Sequence, residues 1–554
     1  MEKFLKKFAA LILLITSIGF AQMEDVPVTH KVYPFLERLS VLELITGYNS
    51  FEIPISRKQA ALFLIEASKN SSRLDGIDIQ TLADLKREFS FDIDLDLNFS
   101  RSILGAGSYD PLSQQPKYIY FYSEPESGSF FINCIAEAGN ANYNIDQYHN
   151  NSLIGLVGGE VRGTLMNKFG FFLRATNGNV FGNKSAALHI HRLSYNWNLS
   201  NNFPPSSFFD ETNGYLTVDF DVLKLKFGRD RQLIGFGENK LILGDNAPET
   251  DFLSMKLKLG ILEYTFYHGK ILGDKGSTGD TITGLLNTVE EKYLAYHRIG
   301  FNLSKDFSFG AGEMTIYSNR GLDLSYMNPF IFYKAVEHGG QDRDNSLLFF
   351  NVSSNAIKGM KLYSILLIDD ISYGRVGTGW YGNQTVWNIG IESSCLYPFI
   401  PADVSLEYFR IEPYVFTHRF HSNNYTHNGY NIALDTDPNS KLFFGKINYR
   451  ITNRIDVDVS YTYKVHGANP IDTVTGKITN VGGDLNLGHR TQDAEYLKFL
   501  EGDIEYYRKL AFAVRYEPFL GHFISLIAEK ETNSLRNNVT KKTTFFNLNI
   551  SLRI

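Results

Sequence analysis

The chain has 554 residues, with 54 Lys plus Arg against 60 Asp plus Glu and a net charge of -6. That balance, with a pI near 6.1, excludes a general nucleic-acid binder, whose affinity rests on clustered positive charge. Tyr 32 and Phe 43 far outnumber Trp 3 and Cys 2, and an apolar share of 43% suits strands that are apolar only at alternate positions.

The N-terminus reads as a signal peptide over residues 1–21. Lys3, Lys6 and Lys7 precede an apolar run from Phe8 to Phe20, and Gly19-Phe20-Ala21 offers a cleavage site. Beyond it no apolar run approaches the length of about 18 residues that a spanning helix needs. Residues 22–89 carry helical spacing. Phe35, Leu36, Leu39, Leu42 and Ile45 form one apolar stripe, stopped at Gly47. Ser56 with Gln59 makes a capping box for a second helix faced by Ala60, Ala61, Phe63, Leu64 and Ala67. Asp78 is a candidate cap for a third through Leu82, Leu85 and Phe89. Three short helices bury little core alone, so a periplasmic domain packed against the rest is expected. The stretch Tyr33 to Leu64 resembles the S-layer homology module.

At Phe91 the period becomes two, with Phe91, Ile93, Leu95, Leu97 and Phe99 alternating with Asp92, Asp94, Asp96 and Asn98. The clearest unit is Ile455 to Val465: Ile455, Val457, Val459, Tyr461, Tyr463 and Val465 share one face, and Asp456, Asp458, Ser460, Thr462 and Lys464 the other. Similar segments recur, among them Asp503–Arg508 and Leu510–Tyr516, read as separate strands. Tight links alternate with long polar ones at 271–292, 318–344, 417–440 and 467–495. The final segment carries Phe546, Leu548, Ile550, Leu552 and Ile554 on one face. Residues 90–554 therefore predict an all-β transmembrane fold, an antiparallel outer-membrane β-barrel of about 18 strands with a wet interior. Cys134 and Cys395 are expected to be unpaired strand residues.

In the middle of the chain, Phe227-Gly228-Arg229-Asp230-Arg231-Gln232 leads to Gly235-Phe236-Gly237, Leu241-Ile242-Leu243 and Asp245-Asn246-Ala247-Pro248. Tyr296-His297-Arg298, Gly312-Glu313 with Tyr317, Tyr326-Met327-Asn328-Pro329-Phe330, Asp344-Asn345 and Leu366-Leu367-Ile368-Asp369-Asp370 follow. This succession resembles the capsule-assembly outer-membrane family called Wzi, over roughly residues 30 to 554. The resemblance implies a barrel of about 18 strands, a helical bundle at its periplasmic end and binding of capsular polysaccharide at the cell surface.

Sugars are held by aromatic faces and by planar or charged hydrogen-bonding groups. Arg229, Asp230, Arg231 and Gln232 supply such groups together, although Arg229 and Asp230 equally suit an ion-pair ladder inside the wall. Glu313 and Asp369 read as lumen-facing carboxylates, with a network or a ligand role. Trp380 and Tyr381, with Tyr414, Tyr425 and Tyr430, are the loop aromatics. No catalytic constellation, metal site or cofactor motif stands out. His189 and His191 are placed on one face of a strand, as solvated residues, and Asp369 and Asp370 on opposite faces. The expected partners are outer-membrane lipid, surface polysaccharide and the barrel insertion machinery, without nucleic acid, for a monomer. A non-catalytic polysaccharide-binding barrel is the first reading, and a porin-like channel for small polar solutes or saccharides the alternative.

Overall fold

The computed structural model describes residues 22–93, 99–102, 110, 112–124, 128–200, 207–280, 284–394, 400–535 and 539–554. The signal segment, Asp94, Asp96 and Cys395 lie outside them; Cys134 is a free, exposed thiol.

Eighteen antiparallel strands close a barrel. They are β1 Gly128–Ile145, β2 Tyr148–Leu165, β3 Phe169–Gly182, β4 Phe208–Asp219, β5 Leu223–Asp230 and β6 Thr250–Leu259. Next come β7 Leu262–Asp280, β8 Gly284–Ser304, β9 Phe307–Ser318, β10 Asn345–Ile357, β11 Met360–Asp370 and β12 Gln384–Ser393. The last are β13 Ala402–Ile411, β14 Ser440–Thr452, β15 Ile455–Ala468, β16 Asp503–Phe519, β17 His522–Ser534 and β18 Thr540–Arg553. Strand β18 closes on β1, with Leu548 opposite Asn140.

The alternation has the expected cause. Val459 and Tyr461 are exposed on the outside of β15, while Asp458 faces inward and accepts from Asn448 Nδ2 at 2.7 Å. Residues 503–519 form one strand, since the outward side chains keep a single parity through Lys509. The link 271–292 is no loop, because β7 and β8 run on as a paired hairpin to Asp280 and Gly284. Tight turns join the strands along one end of the barrel, and the long links all lie at the other, beside the hairpin ends of β1–β2 and β7–β8.

The turn end is stoppered by helices α1 Val32–Val41, α2 Arg57–Lys69 and α3 Gly76–Glu88. The capping box at Ser56 forms as expected. Three expectations are corrected. Helix α1 ends at Val41, before Ile45, and the cap of α3 is Asp75, whose carboxylate accepts from Asp78 N at 2.7 Å. Asp78 is instead buried against Arg38 and Arg450. Ser90–Ile93 is also helical and not the start of a strand, because Asp92 turns back to an ion pair with Arg57 at 2.9 Å. Around the rim Lys58 meets Asp221, Arg454 meets Asp84 and Lys361 meets Glu37.

The expected wet lumen is corrected over part of its width, while the inward faces of β14 to β16 stay polar, with Lys446, Asp456, Asp458 and Arg515 lining a cavity. Glu52–Ile53 enters from the turn end and pairs with Leu233–Ile234. Phe51 beside it joins a core with Phe236, Leu241, Phe416, Tyr425 and Leu434. The inward faces of β10 to β13 answer with Phe349, Ile365, Leu367, Val386 and Phe409. Long links fold into the barrel, and burying them together removes apolar surface from water on both sides.

One link goes the other way. Segment 319–344 lies along the outside of the wall: Tyr333 stacks on His297 with ring centroids 4.3 Å apart, and its N–H donates to Glu313 at 2.8 Å. Beneath it Glu313 and His297 pair at 2.9 Å, sealed from lipid. Leu324, 83% exposed, and Phe330 point outward.

Candidate functional site

At the loop end, the link 371–383 crosses to the link 469–502. Tyr381 N–H donates to the Glu495 carbonyl at 2.9 Å, and Leu497 N–H to the Gly379 carbonyl at 2.8 Å. Gly379 has φ of 78°, and a Cβ there would stand 2.4 Å from the Leu497 carbonyl oxygen. A glycine is required for the two links to meet. The crossing sets Trp380 opposite Tyr496. The Arg375 guanidinium lies 4.6 Å from the Trp380 ring centre. Tyr381 stacks on His489 at 3.5 Å and 9°, with its edge toward Tyr414. Arg490 and Asp493 pair alongside at 2.8 Å, and Asn480 Nδ2 donates to the same carboxylate at 2.7 Å. Tyr373 at 85% and Tyr496 at 55% exposure complete a surface of aromatic faces edged by planar hydrogen-bonding groups. That is the composition that grips sugar rings.

The other residues expected to bind do not join this surface. Arg229 shares its face with Phe227, which is 65% exposed on the outer wall, and forms a two-pronged pair with Asp251 at 2.7 Å. Asp230 faces inward, where Lys226 donates to it at 2.6 Å. Arg231 donates to Tyr195 Oη and Glu249 at 3.0 Å and to the carbonyls of Asp245 and Ala247. Gln232 donates to the Arg231 carbonyl at 3.1 Å. Glu313 is on the outer wall and not in the lumen, because it shares the face of Phe307 and Phe309, both exposed. Asp369 is lumen-facing, as expected, and accepts from Phe416 N at 2.6 Å, so it anchors the infolded link. Asp370 is exposed on the opposite face. Tyr414 and Tyr425 are buried, against the expectation of surface aromatics. Of the binding residues expected from sequence, Trp380 and Tyr381 stand together on the loop surface; Tyr373, Arg375, His489 and Tyr496 were missed.

His189 and His191 are not in a strand. His189 lies between two helical turns and stacks on Tyr143 at 4.3 Å, while His191 Nε2 donates to the Asp245 carbonyl at 2.8 Å. His189, Glu529 and Glu531 bring ligand atoms within 4.8 Å of one another. Lys509 Nζ already stands 3.2 Å from Glu529 and supplies the cation there.

The His191–Asp245 contact clasps the link 183–207 to the link 231–249. The hydrogen bond to Asp245 raises the imidazole above its ordinary 6.5. Burial opposes ionisation of Asp245, but His191 outweighs it and holds the carboxyl below 3.8. A raised imidazole stabilises below its unfolded value and loses that contribution as pH rises through the folded one. A depressed carboxyl keeps its contribution above its ordinary value. The clasp is therefore tightest from about pH 4 to 6.5 and weakens above. Limited proteolysis should cut 183–207 faster at pH 8.5 than at 5.5, a difference His191→Gln abolishes; equal rates in the parent chain would refute the clasp.

The family described as capsule assembly protein Wzi matches residues 147–507. No curated relative matches the chain by sequence. Among solved structures the fold is similar to Wzi from Escherichia coli, described as an outer membrane protein involved in group 1 capsule assembly and a carbohydrate binding beta-barrel. The two share 13% identity over 94% of this chain and 98% of that one, at a TM-score of 0.54, a likeness of fold. Pseudomonas aeruginosa OpdQ, at 10% identity over 77% and 98% with a TM-score of 0.42, is too remote to bear on function.

Proposed function

This chain belongs to the Wzi family of capsule assembly proteins, outer-membrane β-barrels, and from that membership we propose that it binds surface polysaccharide through its loop end. The observation that carries the reading is the crossing of links 371–383 and 469–502, which presents Tyr373, Trp380 and Tyr496 with Arg375 above a filled barrel. The helical segment 22–93 is then the periplasmic stopper, and the loop end faces outside. The role is binding without covalent chemistry, and the chain acts as a monomer.

Purified full-length protein should retain polysaccharide prepared from the same cells, and a strain lacking the gene should shed polysaccharide into the medium. Unchanged cell-bound polysaccharide together with no retention would reject the reading. The porin-like alternative needs an open path. The packing of Phe236, Phe416 and Tyr425 across the lumen argues against one. Planar bilayers holding the protein are expected to stay electrically silent, and stable conductance steps would restore the channel.

A further inference from the structure

The outer wall carries a basic patch where its apolar belt stops. Arg508 on β16 shares its outward face with Leu510 and Phe512, both exposed to lipid. Across the sheet Arg508 stands opposite Thr532, and Thr532 opposite Lys542. Lys530 stands opposite Leu510 on one side and Thr544 on the other. Strands lie about 4.8 Å apart, so three long basic side chains fall within roughly 10 Å of one another. Below them run Phe512 on β16, Ala528 and Leu526 on β17, and Phe546 and Leu548 on β18. Tyr463 and Tyr506 flank the patch, their rings 5.5 and 5.7 Å from the Arg508 guanidinium. This is the amphipathic belt position at which headgroups meet a barrel.

Several charges elsewhere on this wall are neutralised within the protein. Arg229 pairs with Asp251, Arg410 with Glu412, and the Glu313–His297 pair is covered by segment 319–344. On the inner face of the same strands Lys509 pairs with Glu529. Among the described residues Arg508, Lys530 and Lys542, all exposed, have no ion-pair partner. A cation at the edge of the hydrocarbon is costly unless an anion of the membrane supplies the counter-charge.

We propose that Arg508, Lys530 and Lys542 form a site for the phosphate groups of a lipid headgroup in the leaflet that laps the loop end. Arg508 supplies the planar fork that matches a phosphate, and the two lysines supply mobile point charges. The acyl chains lie along Leu510, Phe512 and Phe546. The site binds the protein's own membrane, separately from any polysaccharide on the loops.

The test is native mass spectrometry of the full-length protein in neutral detergent, incubated with bisphosphorylated lipid A, with phosphatidylcholine or with inorganic phosphate. The parent chain should retain lipid A at least about tenfold better than phosphatidylcholine, and Arg508→Gln/Lys530→Gln/Lys542→Gln should lose that preference. Arg229→Gln should keep it, as should Arg508→Lys. A heat-dependent shift in gel mobility verifies that each variant is folded; if the triple variant is not, Lys530→Gln alone carries the test. Equal retention of lipid A by the variant overturns the proposal. So does equal retention of phosphatidylcholine, which would mean that acyl chains alone bind. Displacement of lipid A by a tenfold excess of inorganic phosphate would make this a free-anion site and also overturn it.

Discussion

Replacing Arg38 with Met is expected to loosen the helical stopper at a cost of about 3–5 kcal/mol, the usual penalty for stranding a buried charge. Arg38 Nε donates to Asp78 at 3.1 Å and Nη1 to Asp403 at 2.5 Å, and its side chain is fully buried. Arg450 on β14 reaches the same two carboxylates, at 3.1 and 2.9 Å. The ring joins α1, α3 and two wall strands, so either arginine removed leaves Asp78 in a dry site with half its counter-charge. Urea unfolding and proteolysis of residues 22–93 read the effect. The double change Arg38→Met/Asp78→Leu should recover much of the loss, since it removes the stranded charge with its partner. An unchanged urea midpoint in Arg38→Met would show that the ring does not hold the stopper.

Trp380→Ala should weaken polysaccharide binding about thirtyfold, near 2 kcal/mol, the scale of an aromatic anchor in a binding surface. The indole is half-buried, and Arg375 lies 4.6 Å from its centre. Truncation removes the stacking surface and frees the guanidinium that lies over it. Tyr496→Ala should add to the loss, because the two residues face each other across the crossing. Titration of the purified variants with labelled polysaccharide measures it, with Arg229→Gln on the outer wall as the unaffected comparison. A dissociation constant unchanged by Trp380→Ala would move the site elsewhere on the loops.

The wall was legible because lipid imposes one requirement on every second residue, and Val457, Val459 and Tyr461 obey it without interruption. The same rule already held information about Arg229 and Glu313. Arg229 keeps the parity of Leu225 and Phe227, and Glu313 that of Phe307 and Phe309, which places both outside. Strand β1 is poorly legible in the sequence because Gly139, Asn140, Asn142 and Asn144 depress strand propensity. What sequence could not carry was the infolding of the long links. Tyr414 and Tyr425 look like surface aromatics until Val481 and Leu497 are known to pack on the first and Phe416 on the second. Tyr496 lies more than a hundred residues from Trp380, and no local pattern announces that they meet.

The continuous packing of Phe51, Phe236, Phe416 and Phe349 has a bearing on biogenesis. A stopper at one mouth and woven links at the other leave no entrance for bulky rings once the cylinder is complete. The links that fill the barrel pack on the strands that close it, so filling and closure depend on one another during assembly.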